Sequence, residues 1–282
     1  MTEKKIAIIG GSGLIGSELV KHYGKNNVKV SSSKKNKNYY YLDLSKKINK
    51  ENFKNFLKNI DVLIYCASII KEKNKKKLYK FNYLYFKSII NILKNTKVKL
   101  VYLSTMSIYP INTDYICHER KKIKIESMAG GFYAYTKYLA EKNILRKLRK
   151  NSYLILRLGS IYGLKKKSNL LDRLLYKIRN NKQLFFTKPL TIKLNFLHVN
   201  QLVGCIDFLV KRKKNGIYNV GNFNSISLNK LIKKILVIYP KTKIQFRTKV
   251  SRLKPLKYFI NFSILKLKNS KYKFKKSKEF LC

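Results

Sequence analysis

The 282-residue sequence predicts a doubly wound α/β fold, in which a parallel sheet carries helices on both faces. Two observations predict it. Through the first half of the chain, short apolar segments of strand length alternate with longer segments of helical spacing. The first of these strands runs directly into a glycine-rich turn and then a helix, the unit with which such sheets commonly begin.

The first strand, turn and helix have a composition that fits phosphate binding. Ile6–Ile9 is a β-branched run of strand length, glycines follow at positions 10, 11, 13 and 16, and helical spacing begins at Leu14 and Ile15. Glycine lets the backbone approach a phosphate, and the N-terminus of a helix attracts anions. We therefore predict a dinucleotide site. Two spacings are open, G-x-G-x-x-G counted from Gly11 and G-x-x-G-x-x-G counted from Gly10.

The remaining elements follow in chain order. Predicted strands cover residues 28–31, 39–42, 61–66, 98–104 and 153–158, and predicted helices cover residues 48–57, 78–93 and 133–148. After Gly163 the alternation is less regular, with helices over 170–178, 201–210 and 227–238 and short strands over 196–199 and 216–220. Residues 1–163 are thus predicted to form one domain, and residues 164–282 a smaller lobe interleaved with its sheet. The lysine-rich tail is predicted to fold as far as Phe274.

The composition limits the possible partners. Lys and Arg number 64 against 13 Asp and Glu, which gives a formal charge of +51. The lysines are spread along the whole chain together with many Asn and Ile, a bias that resembles an AT-rich genome. We therefore expect no specific nucleic-acid partner, although the charge favours a substrate carrying a diphosphate. No run of 18 apolar residues occurs, so we expect no membrane span.

Cysteine and histidine are too few and too scattered for a structural metal site. The four cysteines form no C-x-x-C pair, and only three histidines occur. A cytoplasmic chain with reduced thiols is the expectation that follows.

Candidate catalytic residues lie at a strand end and at a helix start. The predicted strand 98–104 leads into Thr105, and the helix begins with Tyr133, four residues before Lys137. Residues four apart share a helical face, and an ammonium group there can lower the pKa of a phenol from about 10. Such a phenol exchanges a proton with a substrate hydroxyl or carbonyl, and the Thr105 hydroxyl can hydrogen-bond the same oxygen. Tyr135 does not fit this role, because position 139 is Leu.

With these motifs the chain resembles, over nearly its whole length, the extended short-chain dehydrogenase/reductases of the NAD-dependent epimerase/dehydratase family. This family uses the spacing that starts at Gly10. Further matches occur in order at Asp43-Leu44, Asp61–Ser68, Asn82, Leu156–Gly163, Asn195–Val199, Gly216–Gly221 and Ser227-Leu228.

The resemblance implies a Rossmann-like domain that binds NAD(P), a substrate-binding lobe and no metal. It assigns catalysis to Thr105, Tyr133 and Lys137. Residues implied to bind the cofactor are Gly10, Gly13, Leu14, Ile15, Gly16, Ser31, Asp43, Leu44, Ala67, Tyr133 and Lys137. Residues implied to bind the substrate are Ser160, Asn195 and His198.

The implied substrate is a nucleotide-activated sugar in the synthesis of surface polysaccharide precursors. The reaction is an epimerisation or the reduction of a 4-ketosugar, and both stay open. Dehydration is disfavoured, because Met106-Ser107 stands where dehydratases have an Asp-Glu pair. Substrate identity also stays open, since Ser160 replaces the usual Asn and Leu194-Asn195 replaces the usual Arg-Asp.

The choice between NADP and NAD depends on residues 31–35. They read Ser-Ser-Ser-Lys-Lys, without the carboxylate that would hold an adenosine ribose. Hydroxyl and ammonium groups suit a 2′-phosphate, so NADP is favoured and NAD remains an alternative.

Other functions and an assembly remain open. One alternative is a protein of the same fold that binds RNA through its basic surface, and another is a reductase of a small non-sugar ketone. The resemblance also favours a homodimer formed through helices over 79–95 and 134–148.

Overall fold

The structure is a computed structural model that describes residues 4–33, 39–46, 48–70, 72–111, 115–163, 170–188, 193–222, 225–248, 260 and 262–274. The strands are β1 Ile6–Ile9, β2 Val28–Ser32, β3 Tyr40–Tyr41, β4 Val62–Tyr65, β5 Lys99–Thr105, β6 Tyr153–Leu158, β7 Ser160–Tyr162, β8 Leu184–Lys188, β9 Lys193–Leu194, β10 Phe196–His198, β11 Gly216–Val220, β12 Ile226–Ser227 and β13 Ile244–Thr248.

The α-helices are α1 Leu14–Tyr23, α2 Lys50–Leu57, α3 Lys75–Tyr79, α4 Tyr85–Leu93, α5 Gly131–Lys147, α6 Leu170–Arg179, α7 Val199–Lys211, α8 Leu228–Ile238 and α9 Leu265–Asn269. A π-helical segment, Lys80–Leu84, joins α3 to α4, so the helix predicted over 78–93 is three consecutive helical pieces. Short 3₁₀ turns cover Lys25–Asn27, Met106–Ile108 and Ile125–Ser127.

The predicted doubly wound fold is confirmed. Seven strands form one sheet in the order β11-β6-β5-β4-β1-β2-β3, and every neighbouring pair is parallel. Successive side chains of a strand point to opposite faces, so Ile6 and Ile8 pack into one core cluster while Ala7 and Ile9 pack into another. Because both faces are covered, the inner strands are continuous apolar runs rather than alternating ones.

A third core cluster lies within the second part of the chain. It joins α6, β8 and α8 through buried residues such as Leu171, Leu184 and Leu231. Strands β7 and β10 pair in parallel, as do β8 and β13, whereas β9 and β12 are antiparallel. The edge strand β11 belongs to the same part of the chain but pairs with β6 in the central sheet. Of the strands in these pairings that lie after Gly163, the sequence pattern predicted only β10 and β11.

The C-terminal segment, residues 262–274, packs onto the body of the protein. Leu267 is fully buried, and the Tyr272 hydroxyl donates a hydrogen bond to the Gln201 carbonyl at 3.1 Å. Phe262 forms a β-bridge with Cys117. Within the described ranges, none of the helices combines the length and hydropathy of a membrane-spanning segment.

Candidate active site

The turn after β1 is built on glycines 10, 13 and 16. Gly10 has a φ of +87°, and its carbonyl accepts a hydrogen bond from the Gly13 N–H at 3.0 Å. Gly13 caps the N-terminus of α1, and a Cβ atom on Gly16 would overlap the Gly10 carbonyl oxygen. A Cβ on Gly10 would lie 2.8 Å from the backbone nitrogen of Ala67. Glycine therefore allows α1 to start close against the ends of β1 and β4.

The carboxyl ends of β1, β2 and β4 open into a cleft of about 530 Å³, called here the strand-end cleft. Strand order reverses between β1 and β4, the place where doubly wound sheets bind ligands. The cleft contains six of the residues that the sequence assigns to the cofactor, namely Gly10, Gly13, Ser31, Asp43, Leu44 and Ala67.

The other cofactor candidates of the turn lie behind this lining. Ile15 packs against the core, and Leu14 lies beside Gly163, where an added Cβ would be 2.8 Å from its Cδ1. Gly16 is buried beneath the turn. These three residues therefore shape the start of α1 rather than line the cleft.

The strand-end cleft fits a dinucleotide. The N-terminus of α1 opens at Gly13, one of its lining residues, and a helix N-terminus stabilises an anion. Across the cleft, hydrogen bonds from the Ser45 hydroxyl and N–H, at 2.6 and 2.9 Å, hold the pKa of Asp43 below its ordinary value. Ser31, Ser32 and Ser33 add hydroxyl groups, whereas Lys34 and Lys35 lie outside the described residues.

The catalytic candidates adjoin the cleft through two residues that line it. Tyr133 on α5 is hydrogen-bonded to Ser68, and Lys137 lies close enough to Cys66 for each group to influence the pKa of the other. The Lys137 Nζ atom also lies 4.1 Å from the centre of the Tyr102 ring on β5. The sheet and α5 therefore bring Tyr133 and Lys137 to the edge of the cleft.

The pKa values of Tyr133 and Lys137 differ from the sequence expectation. Burial raises the pKa of Tyr133 to about 12, and the hydrogen bond with Ser68 acts in the opposite direction. Burial lowers the pKa of Lys137 to about 7, partly offset by the charge of Glu141. The expected lowering of the Tyr133 pKa by Lys137 is thus wrong. Removal from water is the largest influence on both pKa values, and it also disfavours the charged form of Lys137.

Thr105 lines a second, smaller cavity of about 110 Å³, called here the Thr105 cavity. Its hydroxyl oxygen accepts a hydrogen bond from the Ser107 N–H at 3.1 Å and caps the turn after β5. The cavity is lined by Thr105, Met106, Ser107, Leu158, Gly159, Ser160, Lys193, Leu194, Asn195, Ser225, Ile260 and Phe262. Mixed polar and apolar lining of this kind suits a ring with hydroxyl groups and C–H faces.

Two of the three substrate candidates lie in the Thr105 cavity. These are Ser160, which is exposed, and Asn195, whose side chain makes two 2.8 Å hydrogen bonds with the backbone of Asn222. His198 is placed differently. It is buried and caps α7, with its Nδ1 atom accepting a hydrogen bond from the Asn200 N–H at 3.3 Å. The described lining of the cavity does not include it.

The comparisons with known proteins agree with this architecture. Residues 6–221 match the NAD dependent epimerase/dehydratase family. The chain belongs to this family. A curated relative, ADP-L-glycero-D-manno-heptose-6-epimerase of Brachyspira hyodysenteriae (strain ATCC 49526 / WA1), is 24% identical over 268 residues, covering 86% of this chain and 83% of that protein.

Solved structures share the family fold. The dTDP-glucose 4,6-dehydratase of Bacillus anthracis str. Ames, in complex with NAD, has a TM-score of 0.77 at 18% identity and covers 98% of this chain and 93% of its own. The dTDP-4-dehydrorhamnose reductase of the same organism, in complex with NADP, has a TM-score of 0.74 at 19% identity, with 95% and 93% covered.

Some residues of the site were not predicted from the sequence. Phe262 of the C-terminal segment and Ile260, two residues before it, line the Thr105 cavity, and no motif marks either of them. Ser68 belongs to a matched segment but was given no role, although it contacts Tyr133. Asn82, in the π segment, donates to the Ile69 carbonyl at 2.8 Å and accepts from its N–H at 2.9 Å. It thereby fixes the loop that carries Ser68, and this function was not predicted.

Proposed function

We propose that this chain is an NAD(P)-dependent epimerase or 4-ketosugar reductase of a nucleotide-activated sugar, in the supply of surface polysaccharide precursors. One observation carries the proposal. The strand-end cleft and the Thr105 cavity each contain predicted ligand residues; Tyr133 and Lys137 neighbour residues that line the cleft, and Thr105 lines the cavity. The printed activities of the relatives, which include an epimerase and a reductase, support the same reaction classes.

Each catalytic residue has a distinct task in this proposal. Bound NAD(P) supplies or accepts a hydride. Tyr133 carries the proton to or from the sugar oxygen, and its pKa of about 12 keeps the phenol protonated at neutral pH, ready to donate to a developing alkoxide. Lys137 holds the cofactor ribose, and the Thr105 hydroxyl hydrogen-bonds the sugar oxygen. Gly10, Gly13 and the N-terminus of α1 hold the diphosphate.

Dehydration remains the disfavoured reaction. The turn after Thr105 begins with Met106, which is buried and apolar, and continues with Ser107. A dehydratase needs an additional acid or base here to remove water from the sugar, and neither side chain ionises near neutral pH.

The test combines cofactor titration with a panel of nucleotide sugars. Hydride transfer is followed at the nicotinamide absorbance, and epimers are separated chromatographically. Tyr133→Phe is expected to lower turnover by about 10²–10⁴-fold, because the proton carrier is lost, while NADPH affinity stays within about twofold. The matched control is Tyr135→Phe, two residues along the same helix, which is expected to behave like wild type.

Two results would contradict the proposal. Undiminished turnover in Tyr133→Phe would remove that phenol from catalysis. A wild type that binds a dinucleotide, converts no nucleotide sugar and binds structured RNA tightly at physiological salt would favour the RNA-binding alternative.

A further inference from the structure

A buried carboxylate lies one helical turn beyond Lys137. Glu141 on α5 is fully buried. Its carboxylate accepts hydrogen bonds from the Ser104 hydroxyl on β5 and from two nitrogens of Arg157 on β6, Nη2 at 2.7 Å and Nε at 3.2 Å from both oxygens. Ser104 directly precedes Thr105. Glu141 therefore joins the helix of Tyr133 and Lys137 to the strand that ends in the catalytic threonine.

Arg157 extends this connection toward the substrate side. Its Nη1 atom donates to the Tyr109 hydroxyl at 2.8 Å, and that hydroxyl donates to the Asn219 side-chain oxygen at 2.8 Å. Asn219 on β11 in turn donates to the Ser263 carbonyl at 2.9 Å. Ser263 follows Phe262, which lines the Thr105 cavity. A chain of hydrogen bonds, buried except at its last link, thus runs from α5 to the C-terminal wall of that cavity.

Lys137 needs an anion nearby to remain charged. Titratable groups that face it are Cys66 after β4, Tyr102 on β5 and Tyr133 on α5, and burial raises the pKa of all three, so they are neutral near pH 7. The helical pieces packed against α5 add tyrosines 79, 83 and 85 and lysines 75–77, 80 and 87, none of them buried. Glu141 raises the pKa of Lys137 against the effect of burial.

We propose that Glu141 is a positioning residue, whose carboxylate keeps Lys137 in its ammonium form and holds the end of β5 in place for Thr105. The inference rests on the proposed function, which gives Lys137 the task of holding the cofactor ribose. It needs no contact between Glu141 and the substrate or cofactor, because the carboxylate acts on both catalytic residues through the protein.

The test is the pH dependence of NADPH binding in Glu141→Gln, measured by fluorescence from pH 5.5 to 9 without substrate. An ammonium group binds the ribose better than an amine, so affinity falls as the pH rises through the pKa of Lys137. Loss of the Glu141 charge lowers that pKa and moves the fall to lower pH. For each unit by which the Lys137 pKa falls, the variant is expected to bind NADPH about tenfold more weakly than wild type at the alkaline end. At the acid end, the affinities of the variant and the wild type converge.

Two further proteins complete the experiment. Glu126→Gln, at an exposed position of the 3₁₀ turn before α5, is the charge control and is expected to follow wild type. Glu141→Gln leaves the Arg157 cation buried without its partner, which can prevent folding. The double variant Glu141→Gln/Arg157→Gln removes both charges, and a smaller alkaline loss of affinity is expected there, because loss of the more distant cation only partly offsets loss of the carboxylate.

Each outcome bears on a different claim. If the NADPH affinity of a folded variant falls at lower pH than that of wild type, the positioning role of Glu141 is supported. Curves that superimpose on wild type, or affinity weakened equally at every pH, overturn it, since a merely structural role would give the latter. Wild type that binds neither dinucleotide at any pH contradicts the proposed function and the inference with it, whereas normal wild-type binding with unshifted variants contradicts the inference alone.

Discussion

The strand-end cleft and the Thr105 cavity are assembled in opposite ways. Residues of the cleft come mostly from segments that directly follow β1, β2, β3 and β4, all within the first 81 residues. The cavity draws on segments from Thr105 to Phe262, which lie far apart along the chain. A site at the ends of parallel strands is fixed by sheet order, whereas a site closed by distant segments depends on how the whole chain packs.

The largest expected effect tests the local construction of the cleft. Gly13→Asp places a carboxylate at the N-terminus of α1, where the diphosphate is proposed to lie, and we expect NADPH affinity to fall by at least about 100-fold. An added Cβ at Gly13 has its nearest neighbour, the Gly10 carbonyl oxygen, at 3.2 Å, so the fold is expected to persist. Fluorescence titration and thermal unfolding measure the two effects.

The control for this prediction carries the same charge elsewhere. Asn26→Asp adds a carboxylate in the exposed turn beyond the opposite end of α1 and is expected to bind NADPH like wild type. If Gly13→Asp kept near-normal affinity, the glycine turn would not hold the diphosphate.

A smaller effect is expected at the far side of the cleft. Ser32 ends β2 and lines the cleft between Ser31 and Ser33. Ser32→Asp supplies a carboxylate that can accept from a ribose 2′-hydroxyl and repels a 2′-phosphate. We expect the ratio of NADPH to NADH affinity to fall by about tenfold, which corresponds to about 1.4 kcal/mol. Parallel titrations with both dinucleotides measure the ratio, and a wild type that prefers NADH would show that these serines do not select NADP.

The same contrast explains what the sequence could predict. Gly10, Ser31, Asp43 and Ala67 lie at or just after the ends of strands whose apolar patterns are easy to recognise, and parallel topology brings their positions together without further information. Burial is different, because it depends on every neighbouring element. The pKa values of Tyr133 and Lys137 were therefore misjudged from their helical spacing, which shows their shared face but not their loss of contact with water.

Distant contacts set a second limit to prediction. His198 matched a motif for the substrate site, yet it caps α7, because the helix begins at the next residue. Glu141 carries no signal beyond its place one turn after Lys137, and its partners Ser104 and Arg157 meet it only once β5 and β6 pair. The hydrogen bonds that Ser104 and Arg157 donate to the Glu141 carboxylate therefore depend on tertiary packing.

The smallest expected effect tests the long-range wall of the Thr105 cavity. Phe262 packs beside Gly221, where an added Cβ would lie 3.0 Å from its ring, and its neighbour Ser263 donates its N–H to the Cys117 carbonyl at 3.0 Å. Phe262→Ala removes an apolar surface worth about 1 kcal/mol to a sugar ring, so we expect KM to rise roughly fivefold while NADPH affinity is unchanged. Phe246→Ala, at an exposed ring outside the described lining, is the matched control.

Steady-state kinetics on an accepted nucleotide sugar separate KM from kcat. A rise in KM accompanied by an equal loss of NADPH affinity would mean that Phe262 supports the whole sheet rather than the cavity. An unchanged KM would remove the C-terminal segment from the substrate site.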